Sequence, residues 1–395
     1  MREDIVVLGA TGSIGRQTLG ILAFSSVYRL VGVSFQSHYE KLEPYLLYFD
    51  ALKYVGIADR EVAKAFQAKH PDYIVFSGED ASVEVLKHCK EATVFNALMG
   101  NCGLLPSLFA LKQNQDLLLS NKESLVIGSS LIEKERKNSS SHLYPVDSEH
   151  VALAKLLKEA RNEKIPRKNI EKLIVTASGG ALRDKKKEDL PFVTPEEVLH
   201  HPTWAMGKKI TCDSATLVNK GYEVIEASVL FHYPFEKVGA IICRESLVHA
   251  ELKVKKEGKE ETLLEYSPCS MKVAIAYALS KGKLEMHHNS KEDLESIQKL
   301  HFQEIDTSFY PAFLYTINTY KKYGNVGMIY YNAVDTKAID AFLTGRISYL
   351  QLLSALEYTY TTMPSLPLLE ENHLSDIIHG AESFASSLVE KIASH

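Results

Sequence analysis

The sequence predicts an α/β protein with an N-terminal doubly wound parallel sheet, a central α/β region with an open sheet, and a C-terminal helical region. Three observations carry that prediction. Short apolar runs bounded by turn residues alternate with helix-period segments as far as Val146. A glycine-rich turn follows the first of those runs, and from Tyr310 onward the pattern is helical with few strand signals.

The elements follow in order. Ile5-Val6-Val7-Leu8, closed by Gly9, reads as a buried parallel strand. A helical pattern from residue 14 to about 24 leads to a strand at 30–33, and further strand runs lie at 54–57, 73–76, 93–96 and 116–120. Strands alternating with helices build βαβ units, so residues 1–146 are expected to form the first domain. The second, 147–280, opens with a helix at 151–161 and a strand at 172–177. Strand-like runs at 240–243, 247–250 and 262–266 suit an open sheet, and the charged run 183–189 reads as a solvated loop. The polar segment 281–300 reads as a linker, and 301–395 as a helical domain.

Composition narrows the function classes. A net charge of −5 argues against a nucleic-acid or anionic-membrane partner. No apolar run approaches the roughly 20 residues that span a bilayer. The cysteines at 89, 102, 212, 243 and 269 show no CxxC spacing, which implies neither a disulfide framework nor a zinc site. Met1-Arg2-Glu3-Asp4 runs straight into the first strand without a signal-peptide pattern, so the expected location is the cytoplasm.

Gly9-Ala10-Thr11-Gly12-Ser13-Ile14-Gly15 directly follows that strand and opens a helix. Glycines there let the backbone turn sharply and approach a pyrophosphate at the positive helix end. The spacing is GxxGxxG, a weak pattern by itself; its place at the start of a βαβ series makes it a Rossmann-like dinucleotide signal. A glycine turn that binds nothing is the alternative. The second strand ends in Phe35-Gln36-Ser37-His38, with no acid for a ribose 2′-hydroxyl, which leans towards NADP; no Arg or Lys stands there either.

Carboxylates and anion donors cluster downstream. In an extended segment Asp147 and Glu149 would share one face, and with Glu223 they would suit Mg²⁺ or Mn²⁺. Equally, Asp147 or Ser148 would cap a helix beginning near His150. Asp213-Ser214 reads as a helix start, with Asn219 and Glu223 four apart on one face and Lys220 beside them. Gly221 costs that helix about 1 kcal/mol relative to Ala, which implies a close approach to its backbone. Thr176-Ala177-Ser178-Gly179-Gly180 resembles a small anion nest, or simply a turn. Asn121-Lys122-Glu123-Ser124 follows a strand at the sheet's carboxyl edge; there Lys122 could reach a substrate or be a surface lysine. The stretch from His201 to Glu223 holds Trp204, the chain's single tryptophan, in a loop that is either a lid or core packing.

These motifs, with Gly103-Leu104-Leu105-Pro106, Asp147-Ser148-Glu149-His150 and His201-Pro202-Thr203-Trp204-Ala205-Met206-Gly207, occur in the order of the 1-deoxy-D-xylulose 5-phosphate reductoisomerases, which the chain resembles along its whole length. The resemblance implies a homodimeric enzyme of isoprenoid precursor synthesis. It would rearrange the sugar phosphate and reduce it with NADPH to 2-C-methyl-D-erythritol 4-phosphate. It implies Asp147, Glu149 and Glu223 as metal ligands, and Lys122, Ser148 and Glu149 at the substrate's reacting end. Ser178, His201, Ser214, Asn219 and Lys220 would hold the phosphate and a neighbouring hydroxyl. Thr11, Gly12, Ser13, Ile14, Asn121, Glu123 and Gly207 would bind NADPH, and Trp204 would ride on a flap at about 194–208.

Three departures from the family pattern stand out. Phe35-Gln36-Ser37-His38 replaces a small-residue turn with Lys or Asn, Cys269-Ser270-Met271 replaces Pro-Asp-Met, and Asn332-Ala333-Val334-Asp335 follows the pattern in part. Two other readings remain: a metal-independent NADP dehydrogenase of another sugar phosphate, and a non-catalytic NADP-binding protein.

Overall fold

Alternation of strand and helix along the first part of the chain yields a seven-stranded, all-parallel sheet. It belongs to one of two compact units, Met1–Ser148 with Ser270–Glu285; the other is Glu149–Cys269 with Met286–His395. The computed structural model describes residues 2–284 and 300–394. Most of the expected linker, 285–299, lies outside those described residues.

In the first unit the elements run β1 (Glu3–Leu8), α1 (Ser13–Leu22), β2 (Tyr28–Phe35), α2 (Glu43–Leu46), β3 (Tyr54–Ile57), α3 (Arg60–Lys69) and β4 (Ile74–Ser77). Then come α4 (Ala81–His88), β5 (Thr93–Asn96), α5 (Leu104–Lys112), β6 (Leu117–Leu119), α6 (Lys122–Asn138) and β7 (Leu143–Pro145). The central strands are apolar on both faces because helices cover both, and Ile5, Val7, Val33, Val55, Phe95 and Leu118 are fully buried. Sheet order is β4-β3-β2-β1-β5-β6-β7, so the winding reverses between β1 and β5. Ligands of such sheets bind at that switch point. A returning helix, Met271–Leu279, packs on α1, and the Tyr28 hydroxyl donates to the Leu279 carbonyl at 2.7 Å. Lys281 adds ion pairs to Glu3 and Asp116 at 2.5 and 2.8 Å.

The second unit holds α7 (Ser148–Asn162, from its second residue), β8 (Ile170–Ala177), α8 (Pro195–Leu199), α9 (Lys208–Thr216), α10 (Val218–Phe231), β9 (Val238–Cys243), β10 (Val248–Lys256), β11 (Lys259–Tyr266) and β12 (Phe302–Gln303). Its sheet is mixed and open, in the order β11-β10-β8-β9-β12, with only β8 and β9 parallel. Among the described residues the unit also holds the helical segments Pro311–Leu343, Tyr349–Thr361 and Leu374–Ala393, the first interrupted at Gly324, where φ is +60°.

Two local readings change. Asp213 and Ser214 do not start a helix: α9 already runs from Lys208, ends at Thr216, and a left-handed Leu217 (φ 59°) separates it from α10. Asp147 and Glu149 do not lie in an extended segment either, because α7 begins at Ser148 and leaves Asp147 at the cap position. Gly221 is explained by packing: a Cβ there would come within 2.6 Å of the Thr316 Cβ, on the helix that crosses α10.

Candidate active site

In the first unit the glycine turn sits at the switch point. Gly9 has φ +78°, and a Cβ on it would stand 2.4 Å from the Ala97 carbonyl oxygen after β5. Its N–H and that of Ala10 donate to the Ser34 carbonyl at 2.8 Å each. A Cβ on Gly15 would stand 2.2 Å from the Gly9 oxygen, so only glycine lets α1 start this close to β1. Gly12 and Ser13 are exposed and Thr11 and Ile14 half-buried at the positive end of α1, which suits an incoming pyrophosphate.

Asn121 and Glu123 organise the neighbouring loop. Asn121 Oδ1 caps α6 by accepting the Ser124 N–H at 3.1 Å, and its Nδ2 donates to the Leu98 and Gly100 carbonyls at 3.0 and 3.1 Å. Glu123 accepts from Asn121 Nδ2 and the Gly100 N–H at 2.9 and 3.1 Å. The Lys122 ammonium is no free surface cation: it pairs with Asp147 at 2.7 Å, both side chains close to nine-tenths buried.

In the second unit a cation already sits between carboxylates. Lys220 Nζ donates to Glu149 Oε1 at 2.8 Å and to Glu223 Oε2, while Asn219 Nδ2 donates to Glu223 Oε1 at 2.6 Å. Burial works against the Lys220 charge, but the Glu149 and Glu223 carboxylates outweigh it and hold the ammonium above its ordinary pKa. Glu223 is 1% exposed. His150 ties α7 to α10, with Nε2 3.1 Å from the Glu223 carbonyl oxygen and Nδ1 3.6 Å from Glu226.

The turn after β8 is shaped by two consecutive glycines. Gly179 and Gly180 have φ +84° and +68°, and a Cβ on Gly180 would stand 2.4 Å from the Ser214 carbonyl oxygen. His201 Nδ1 accepts the Thr203 and Trp204 N–H groups at 3.1 and 2.9 Å. A neutral ring so held carries its proton on Nε2, which donates to Ser178 Oγ at 2.9 Å. Ser178 Oγ also accepts the Gly180 N–H at 3.1 Å. With both lone pairs engaged, the Ser178 proton remains to be donated to an acceptor such as a phosphate oxygen.

Burial pushes the His201 imidazole down to about 4, and the Arg183 charge acts in the same direction. Because the native state favours the neutral ring, unfolded chains bind more protons between about 4 and the ordinary 6.5. That stabilising contribution is therefore complete above 6.5 and is lost as pH falls through this window towards about 4. The His201 ring resonances in an NMR titration of the free protein should move near about 4; a midpoint at the ordinary histidine value would contradict the buried, Nδ1-accepting ring.

Trp204 lies in the loop between α8 and α9, half-buried with its ring 6.1 Å from that of His249. Thr194 and Glu197 form the capping box that starts α8 before the loop. After it, Gly207 caps α9 with open space around its Cα. Lys209 then pairs with Asp213 and Asp335 at 2.8 and 2.6 Å. Burial, then the Asp335 carboxylate, push the Asp213 carboxyl well above the usual range, against the Lys209 charge. The sequence assigned Asp335 no chemistry, yet it fixes the helix that follows the loop. Arg183 and Tyr310, which contact the 178–180 turn, were also missed, because a charged run and a helix-end tyrosine carry no local signal of it.

Comparison with known proteins finds relatives along most of the chain. Residues 5–129 match the model of 1-deoxy-D-xylulose 5-phosphate reductoisomerase, 143–231 its C-terminal domain model, and 266–384 the DXP reductoisomerase C-terminal domain model. The chain is 37% identical over 359 residues to the reductoisomerase of Lysinibacillus sphaericus, covering 90% of this chain and 91% of that one. Against the Bacillus subtilis reductoisomerase it is 35% identical over 384 residues, 95% and 96% of the two chains. A crystal structure of DOX-P reductoisomerase with NADPH, fosmidomycin and magnesium superposes with a TM-score of 0.87 at 26% identity, covering 98% of each chain. The Zymomonas mobilis reductoisomerase in complex with NADPH gives 0.84 at 27%, over 99% and 100% of the two chains.

Proposed function

Because the chain belongs to the 1-deoxy-D-xylulose 5-phosphate reductoisomerase family, we propose that it converts 1-deoxy-D-xylulose 5-phosphate to 2-C-methyl-D-erythritol 4-phosphate, using NADPH and a divalent metal. The observation that carries this reading is the convergence of Glu149 and Glu223 on one cationic nitrogen, with Asn219 beside them. Such hard oxygen donors, already gathered around a positive charge, fit Mg²⁺ or Mn²⁺. We assign Asp147, Glu149 and Glu223 as the metal ligands. A bound divalent ion supplies Lewis acidity and a template for the substrate's carbonyl and adjacent hydroxyl. NADPH supplies the hydride.

The chain's own residues do the rest. Residues 1–146 bind the cofactor through Thr11, Gly12, Ser13 and Ile14 at the head of α1, with Asn121 and Glu123 shaping the adjoining loop and Gly207 contributing from the flap. Residues 147–280 bind the substrate. Lys122 and Ser148 orient its reacting end, where the buried Lys122 ammonium favours a developing negative oxygen. Ser178 donates its remaining proton to the phosphate, and His201, Ser214, Asn219 and Lys220 complete its site. Anchoring the phosphate away from the reacting carbons provides binding energy that positions them. Trp204, on a flap at about 194–208, keeps water from the aldehyde intermediate. The Pro311–Leu343 helix braces this region by packing on α9 and α10.

We further infer a homodimer, to be tested by light scattering, and a cytoplasmic location, consistent with the absence of any disulfide among the described residues. Among the described residues no helix is long and apolar enough to cross a membrane. The decisive assay follows NADPH absorbance with purified protein, 1-deoxyxylulose 5-phosphate and Mn²⁺ or Mg²⁺. Oxidation that stops on chelation is expected. Oxidation that survives chelation would favour a metal-independent dehydrogenase, and none with either metal or with NADH would leave a binding protein.

A further inference from the structure

The 178–180 turn holds two consecutive left-handed glycines, and side chains from elsewhere grip its carbonyls. Arg183 Nη1 donates to the Ser178 carbonyl at 3.1 Å and to the Arg244 carbonyl at 2.8 Å, which ties the turn to the connection between β9 and β10. The Tyr310 hydroxyl, from 131 residues downstream, donates to the Gly179 carbonyl at 2.9 Å. Tyr310 is 5% exposed at the N-cap of the Pro311–Leu343 helix. Burial pushes its hydroxyl up to about 12, so it stays a neutral donor.

A planar trans peptide points its C=O and the next N–H in opposite directions. Drawing the Ser178 carbonyl towards Arg183 therefore turns the Gly179 N–H away from that side. Drawing the Gly179 carbonyl towards Tyr310 turns the Gly180 N–H the other way, where it meets Ser178 Oγ. Gly180 rests on the Ser214 backbone, which stops the turn from pivoting. Arg183 also adds a charge, 18% exposed, that is felt at His201.

We propose that Arg183 and Tyr310 are positioning residues of the phosphate site: they hold the turn's carbonyls back so that the Ser178 hydroxyl and the Gly179 amide face the substrate's phosphate. This rests on the reading of the turn as the phosphate subsite. Neither residue touches the substrate. Both act through the backbone they grip.

Steady-state kinetics on Tyr310→Phe, Arg183→Met and Arg183→Lys test it. Loss of one buried hydrogen bond that orients the site should raise KM for the sugar phosphate about tenfold in Tyr310→Phe, leaving kcat within about twofold. NADPH affinity and Tm should stay near wild type. Arg183→Met should raise KM further, and Arg183→Lys, which keeps the charge and one donor, should recover part of the loss. Calorimetric titration with inorganic phosphate should show the same order of weakening, and it reads the turn even if wild type fails to turn over this substrate. In that event the functional reading falls and the positioning role is judged on phosphate alone. Unchanged KM and phosphate affinity in Tyr310→Phe overturns the inference, as does a fall in kcat, NADPH affinity and Tm together. Should Arg183→Met fail to fold, the single-hydroxyl Tyr310→Phe decides.

Discussion

Glu223→Gln is expected to lower turnover about a thousandfold, since a Lewis-acid metal provides several kcal/mol and each 1.36 kcal/mol is tenfold in rate. The glutamine keeps the shape of a side chain that is 1% exposed, and its oxygen can still accept from Asn219. What it removes is the negative charge. Lys220 keeps Glu149 as its ion-pair partner at 2.8 Å, so its buried ammonium is not stranded. The stability loss should therefore remain about 1–3 kcal/mol, that of one weakened buried polar contact. Mn²⁺ affinity by calorimetry should fall sharply while NADPH affinity holds, because the nucleotide turn belongs to the other unit. Wild-type Mn²⁺ affinity in this variant would remove Glu223 from the metal set.

Gly15→Ala is the second large effect, and it acts on the cofactor. The added Cβ would lie 2.2 Å from the Gly9 carbonyl oxygen and 2.7 Å from Ala10 Cα, both backbone atoms that cannot turn aside. Overpacking of this kind costs about 1–3 kcal/mol, and here the strain is relieved only by opening the turn proposed to receive the pyrophosphate. NADPH affinity, followed by its fluorescence, should drop about 10- to 100-fold, each 1.4 kcal/mol being tenfold. Gly20→Ala on the same helix is the control: nothing lies within 4 Å of its Cβ, and an alanine there should stabilise α1 by about 0.5–1 kcal/mol. Unaltered NADPH binding in Gly15→Ala would mean that the cofactor does not use this turn.

Much of the first sheet was legible because its signals are local. Apolar runs such as 5–8 and 93–96 lie inside β1 and β5, and the glycines of 9–15 announce a turn by their own conformational freedom. Part of the candidate site's local geometry was legible by type and spacing. Asn219 and Glu223, four apart, meet on one helix face at 2.6 Å, as the helical period requires. The break at Leu217 was not legible: a left-handed leucine carries no turn signature, and α9 and α10 are separated by contacts made elsewhere. Gly221 was read as a close approach, but its partner Thr316 is a matter of how two distant helices cross.

The sequence by itself determined most elements of the first sheet, the glycine turn and the inventory of carboxylates, hydroxyls and cations, since periodicity, glycine freedom and side-chain chemistry are properties of neighbouring residues. Only the tertiary structure decided which of those groups balance one another. Lys220 stands between Glu149 and Glu223, Lys209 between Asp213 and Asp335, and Tyr310 on the Gly179 carbonyl. The physical reason is desolvation. Burial forces each charge and each carbonyl to find a partner, and the partner is whichever group the packing of distant helices and strands brings within reach.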